Sequence, residues 1–240
     1  MDLAGYTAGA GQGLYTSSSV QQHTLGQKML TPDGREFSYA LAGELLVVGD
    51  WYQTAVHSSD YVSQACPTAA AIGDTSIAVT AGGTITADQF KDGYLIVSAG
   101  TGLGQMFTIK SNLAITSAAN GNIEVNEPVR VALVAASSTI TLIKNRFDSV
   151  VKWAVTQTGS SAGAAVYPVA SGEYGWLQTG GTGAALSDNV PTAAETTGIS
   201  PSTTTAGAIT KAVTTQETIG GAAQVVTVSA EVGLIRINTQ

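Results

Sequence analysis

The stretch GYLIVSAGTGLGQMFTIKSN, residues 93–112, decides the fold class. Two runs rich in β-branched and large apolar residues flank Gly100, Gly102 and Gly104. A strand entering Gly-x-Gly-x-Gly has the look of a dinucleotide-binding loop. That loop works only if a helix starts after the glycines and turns its free N–H groups toward phosphate. Here a second β-like run follows, and the spacing is not Gly-x-Gly-x-x-Gly. The segment therefore reads as a β-hairpin with a glycine loop.

The same texture extends outward. DTSIAVTAG (74–82) alternates, and NIEVNEPVRVALV (122–134) and STITLIKN (138–145) are rich in β-branched residues, with Pro128 breaking the first. Upstream, GQKML-TPDGR-EFSYALAG (26–43) predicts two strands about a turn set by Pro32 and Asp33-Gly34. LLVVGDWYQTAV (45–56) is strand-like, with Gly49-Asp50 as a turn or bulge, and 57–72 is irregular around Pro67. TADQFKDG (86–93) is the best helical turn, capped by Thr86 or Asp88 and ended by Gly93, but it is too short to organise a fold. In the second half, AAVYPVA (164–170), EYGWLQTG (173–180), residues 206–213, AQVVTVSA (223–230) and VGLIRINTQ (232–240) are strand candidates, and 188–205 is a long polar loop. No tandem repeat is visible.

The expectation is an all-β chain: an extended N-terminal arm (1–26) followed by two small β-barrel or sandwich domains, 27–155 and 156–240. The boundary is placed where WAVTQTGSSAGA (153–164) loses its pattern. The arm carries Gly5, Gly9, Gly11 and Gly13 among small polar residues, too little apolar surface to fold alone. Leu3, Tyr6, Leu14 and Tyr15 punctuate it as anchors for docking along another surface; a disordered tail is the alternative.

Composition narrows the function classes. Of 240 residues 11% are charged, with two histidines, one cysteine and a net charge of −7. Enzymes gather titratable groups in a pocket, and this chain spreads them thinly. The acid balance disfavours direct nucleic-acid binding; the densest basic group is Lys144, Arg146 and Lys152. No apolar run reaches the roughly 18 residues of a spanning helix, and the first residues lack the pattern of a signal peptide. Lone Cys66 forms no disulfide framework and fits a small semi-buried residue. No P-loop or Gly-x-Ser-x-Gly elbow occurs. His57 with Asp60 and Ser58 or Ser59 lacks the spacing of a triad. Glu124 with Glu127 and Asp88 with Asp92 are the carboxylate pairs, the second better explained by capping. No cofactor or metal is expected. Aromatic rings concentrate at Trp51-Tyr52 and at Tyr174-Gly175-Trp176, as core or interface anchors. On a strand Tyr174 and Trp176 share a face, opposite Leu177.

TPDGREFSYALAGE, GDWYQTA, GYLIVSAGTGLGQMFTIK, NEPVRVAL, LIKNRF and GEYGWLQTGG occur in that order. This succession, over roughly residues 27–186, resembles the capsid decoration (cement) proteins of tailed bacteriophages. The Tyr-Gly-Trp-Leu-Gln segment is similar to the β-tulip barrel of such proteins. The resemblance implies a structural virion protein without catalytic residues or cofactors. It would be made in the host cytoplasm and bound as a homotrimer to the major capsid protein outside an HK97-type shell, reinforcing it against packaged DNA. A head-fibre or adhesin-type β module that binds host-surface carbohydrate is the alternative reading, on Ser/Thr/Gly-rich loops such as 180–205.

Overall fold

The computed structural model describes residues 11–188, 198–212, 218–225 and 230–239. These residues are all-β, apart from one short 3-10 turn at Ser59–Tyr61. The strands in chain order are β1 (Lys28–Leu30), β2 (Glu36–Leu41), β3 (Trp51–Gln53), β4 (Gln64–Ala65), β5 (Ser76–Thr80), β6 (Tyr94–Ala99), β7 (Met106–Asn112) and β8 (Asn120–Val125). Then come β9 (Thr139–Ile143), β10 (Val151–Lys152), β11 (Ser161–Ala165), β12 (Tyr174–Leu186), β13 (Ile199–Pro201), β14 (Ile209–Lys211), β15 (Gly220–Val225) and β16 (Val232–Asn238).

The chain forms two compact units, divided differently from the sequential split drawn above. The first combines residues up to Val56 with those from Arg146 onward; the second is His57–Asn145, inserted into it. Residues 154–160 lose their pattern because they form a loop inside the first unit. Gln53 Oε1 accepts from the Thr158 and Gly159 N–H groups, and Thr54 N donates to the Ser160 carbonyl at 2.9 Å. A break in periodicity there marks a loop docked on β3, not a boundary.

In the first unit the sheet runs β10-β3-β11-β12-β16-β15-β13-β14, with β2 on β12 and β1 on β2. The TPDGR turn joins β1 to β2 as expected. β12 is the organiser: residues 174–180 pair with β2 and residues 180–186 with β16. Side-chain alternation splits the packing. Phe37, Tyr39 and Trp176 fill one cluster, while Ala40, Tyr52 and Leu177 fill another. Within the stretch read as a polar loop, β13 is wholly buried.

In the inserted unit six antiparallel strands run β4-β9-β6-β7-β8-β5, and β5 returns beside β4, so the sheet is nearly a closed barrel. The 93–112 hairpin forms β6 and β7. Ile77, Val79, Leu95, Val97, Ile109, Ile123, Ile140 and Leu142 point into one core. TADQFKDG is not helical. Asp88 and Asp92 sit at φ 56° and 62°, a region that breaks a right-handed helix. Donors a helix would use are taken by β7, Phe90 N by Asn112 Oδ1 and Asp92 N by the Ile109 carbonyl, while Asp88 N bonds the Asn112 carbonyl.

A repeated unit does exist, at a scale that the sequence hides. Three antiparallel bridges pair Leu46 with Val169, Ala70 with Leu133 and Ile85 with Ile115. All six residues are buried, and each pair exchanges two main-chain bonds. After each comes a turn whose closing N–H donates back three residues: Asp50 to Val47, Asp74 to Ala71, Gln89 to Thr86, Ala119 to Thr116, Ser137 to Val134 and Glu173 to Ala170. The third turn residue is left-handed every time: Gly49, Gly73, Asp88, Ala118, Ala136 and Gly172. This is the type II pattern, which asks for glycine at that position. Ala118 (φ 63°) and Ala136 (φ 58°) occupy it at a cost. Ala118→Gly and Ala136→Gly are each expected to stabilise the inserted unit by about 1 kcal/mol, measured by urea unfolding. Gly73→Ala, where an added Cβ meets nothing within 4 Å, should cost about as much.

Candidate functional site

Residues 11–26 carry no apolar period, yet they are not a free arm. They cross the face of β2 and β12 that carries Tyr39, Tyr174 and Trp176. Gln12 is the hub. Its side-chain amide donates to the Tyr174 carbonyl at 2.5 Å and the Thr16 carbonyl at 2.7 Å, and its Oε1 accepts from Tyr39 OH at 2.7 Å. Its main-chain carbonyl accepts from Trp176 Nε1 at 3.1 Å. Ser18 and Tyr174 exchange main-chain bonds of 3.1 and 2.8 Å, one antiparallel rung beside β12. Ser17 Oγ donates to Glu173, and Gln22 N donates to Tyr39 OH.

Ring packing completes the seat. The Tyr39 and Tyr174 rings stack at 5.8 Å and 8°. His23 meets Tyr39 edge-on at 5.0 Å and Trp176 at 5.2 Å, and such pairs add to area burial. The chain passes so close to His23 that a Cβ on Gly11 would lie 2.4 Å from the imidazole. Burial raises the Tyr39 hydroxyl above its ordinary value, with the Gln22 N–H bond opposing. Leu25 is buried and Leu14 packs against the same cluster, while Tyr15 and Val20 are 56% and 64% exposed.

The sequence-derived anchors therefore fall in different places. Leu14, Tyr174 and Trp176 come together, and Tyr174 and Trp176 do share a face. Tyr15 is exposed and points outward. Leu3 and Tyr6 lie outside the described residues. Trp51 and Tyr52 are wholly buried in separate clusters of the first unit. Trp51 Nε1 donates to Ser161 Oγ at 2.6 Å, and Val47 N donates to Tyr52 OH at 2.6 Å. Of the two residues that tie the strap to its seat, Gln12 was not singled out, and His23, read from the sequence as a surface residue of the arm, packs against Tyr39 and Trp176. A lone Gln between glycines carries no periodic signal.

The other candidate groups have local roles. Ser58 Oγ accepts from Asp60 N and caps the 3-10 turn, leaving His57 exposed. Glu124 accepts from Ser76 Oγ at 2.6 Å. Glu127 accepts from Thr108 N at 2.7 Å and Thr108 Oγ1 at 2.8 Å. Burial pushes the Glu127 carboxyl up, but those bonds outweigh it and hold its pKa below the ordinary value. Burial raises the Cys66 thiol, whose Sγ donates to the Thr68 carbonyl. Arg146 donates to the Ser161 and Thr239 carbonyls, and Lys152 pairs with Asp50. Among the described residues no three His, Cys, Asp or Glu side chains lie close enough to hold a metal, and no helix is long and apolar enough to cross a membrane.

Two surface features of the inserted unit stand apart. A polar groove of about 660 Å³ is lined by Thr68, Gly73, Asp74, Thr75, Ser76 and Asn122, among others. The β6–β7 hairpin tip presents Leu103, 68% exposed, on a stiff base. Gln105 Oε1 accepts from Arg130 N and Val131 N at 2.9 Å, and Ser138 Oγ donates to the Thr101 carbonyl at 2.7 Å. Met106, Val131 and Val134 are exposed as well. No protein-family model, curated protein or solved structure matches this chain.

Proposed function

We propose that this chain is a structural virion protein: a decoration (cement) protein that binds the major capsid protein on the outside of a tailed-phage shell, as a homotrimer. The observation that carries this reading is the strap. It crosses the face of β2 and β12, meets β12 in one main-chain rung at Ser18, is fixed from behind by Gln12 and the aromatic seat, and turns Tyr15 and Val20 outward. Such a segment is shaped to lie between two surfaces, adding main-chain bonds and side-chain anchors to a neighbour. The stiff tip at Leu103 supplies a second apolar contact; exposed apolar groups clustered on rigid backbone suit partner binding. A ligand that binds only the assembled shell stabilises it by mass action, and a trimer multiplies weak contacts.

Because residues 12–25 cover the protein's own Trp176, removing the whole arm would strip its core. The cleaner test deletes residues 1–10 and, separately, makes Tyr15→Ser with Val20→Ser. Purified protein is titrated onto shells that lack it, and shell disruption temperature is followed. The native chain is expected to bind and to raise that temperature. Either variant should bind at least tenfold more weakly, a loss of about 1.4 kcal/mol, and remain a trimer by light scattering. No binding by the native chain, or unchanged binding by both variants, overturns the proposal.

The polar groove favours one second reading, a glycan-binding β module. Hydroxyl, carboxylate and amide groups converge there as sugar recognition needs. Retention on immobilised host-surface glycans, lost in Asn122→Ala, would support it in place of shell binding.

A further inference from the structure

The chain leaves the first unit near Val56 and returns at Arg146. Just outside those points stand Asp50, before β3, and Lys152, on β10. Lys152 Nζ lies 2.6 Å from Asp50 Oδ2, and the Asp50 side chain is only 8% exposed. β10 pairs with β3 through Lys152 and Tyr52, so both backbones are fixed. Gly207 closes over the pair: a Cβ there would meet Asp50 Cγ at 3.0 Å and Lys152 Cδ at 3.1 Å. Trp51 and Trp153, neighbours of the two residues in sequence, are buried in the cluster beneath. Glu44 accepts a hydrogen bond from the Lys152 main-chain N–H, which places a second carboxylate at the same residue.

We infer that Asp50 and Lys152 condense into an isopeptide bond. The lysine ammonium, its side chain 36% exposed, gives up a proton to water, and the freed amine attacks Asp50 Cγ. A C–N bond forms, a carboxyl C–O bond breaks, and the departing oxygen leaves as water with the protons shed by the amine. The ammonium and the carboxylate become one amide plus one water, and no oxidant or reductant is needed. Fixing both groups in contact, one on β10 and the other just before its partner strand β3, replaces a bimolecular encounter, which is where intramolecular reactions gain most of their advantage. Excluding water from the carboxylate favours the side that releases it. The link would close a covalent ring around the whole inserted unit and hold together the two stretches that build the first unit.

The experiment is an intact mass of the full chain, purified folded and then denatured, followed by a peptide map. The expected mass is one water below the sequence value, with a branched peptide joining the segments that hold Asp50 and Lys152. Lys152→Arg should restore the full mass. Asp50→Asn should lose ammonia, since its amide nitrogen then departs in place of the oxygen. A native chain at its full sequence mass after prolonged incubation, or a water loss mapped to Asp33-Gly34, overturns the inference and leaves Asp50–Lys152 an ordinary ion pair.

Discussion

Replacing Trp51 with alanine is expected to unfold the first unit while leaving the inserted unit standing. The indole is wholly buried against Trp153, Ile199, Ile209 and Ile235, side chains drawn from four separate stretches of chain. Its loss opens a cavity that costs about 3–5 kcal/mol. It also strips Ser161 Oγ of the 2.6 Å bond from Nε1, and a lost buried hydrogen bond costs about 1 kcal/mol. Together these consume much of a typical domain's stability of about 5–15 kcal/mol. Calorimetry should show one transition displaced by 10 °C or more, at about 2–4 °C per kcal/mol, and a second, from residues 57–145, unmoved. Trp51→Phe retains most of the packing and should fall between the two. A single transition that moves as a whole would show that the units do not unfold separately.

Trp176→Ala tests the seat of the strap. This ring is 3% exposed, it underlies His23 and Tyr39, and its Nε1–H holds the Gln12 carbonyl. Truncation should cost about 3–5 kcal/mol and release residues 11–26. Limited proteolysis within that segment, or hydrogen exchange at the Ser18 amide, reports the release directly. Trp176→Phe keeps a ring and loses only the bond to Gln12, so it should cost about 1 kcal/mol with partial release. If alanine at 176 leaves the Ser18 amide as protected as before, the strap is held by other means.

The fold was legible where structure is local. The two hairpins were read from turn chemistry and alternation, because strand, turn and partner strand lie within about twenty residues. β13 was not legible: Ile199-Ser200-Pro201 is buried by partners distant in sequence, and its own composition reads as loop. The helical reading of 86–93 failed because Asn112 and Ile109, on β7, take N–H groups that a helix would use. The recurring bridged turn escaped notice because its shared element is a backbone angle, met by glycine three times, alanine twice and aspartate once. At the candidate site the aromatic pair Tyr174 and Trp176 was visible and correctly faced. What covers it was not, since a strap held by one glutamine and main-chain bonds leaves almost no mark in residue pattern.

The insertion also dictates an order of events on the ribosome. Strands β4 to β9 find all their partners among themselves, so that barrel can close once Asn145 has emerged. β2 and β3 cannot, because they wait for β12 and β11 downstream. At synthesis rates of about 5–20 residues per second, the interval until β16 is complete is roughly 5–20 s. Throughout it, the N-terminal hairpin holds Phe37 and Tyr39 without their cover, tethered beside a finished neighbour. The vulnerable species in this protein's biogenesis is thus a half-made chain with a folded middle and a sticky beginning, which makes chaperone supply and translation speed, rather than final stability, the determinants of yield.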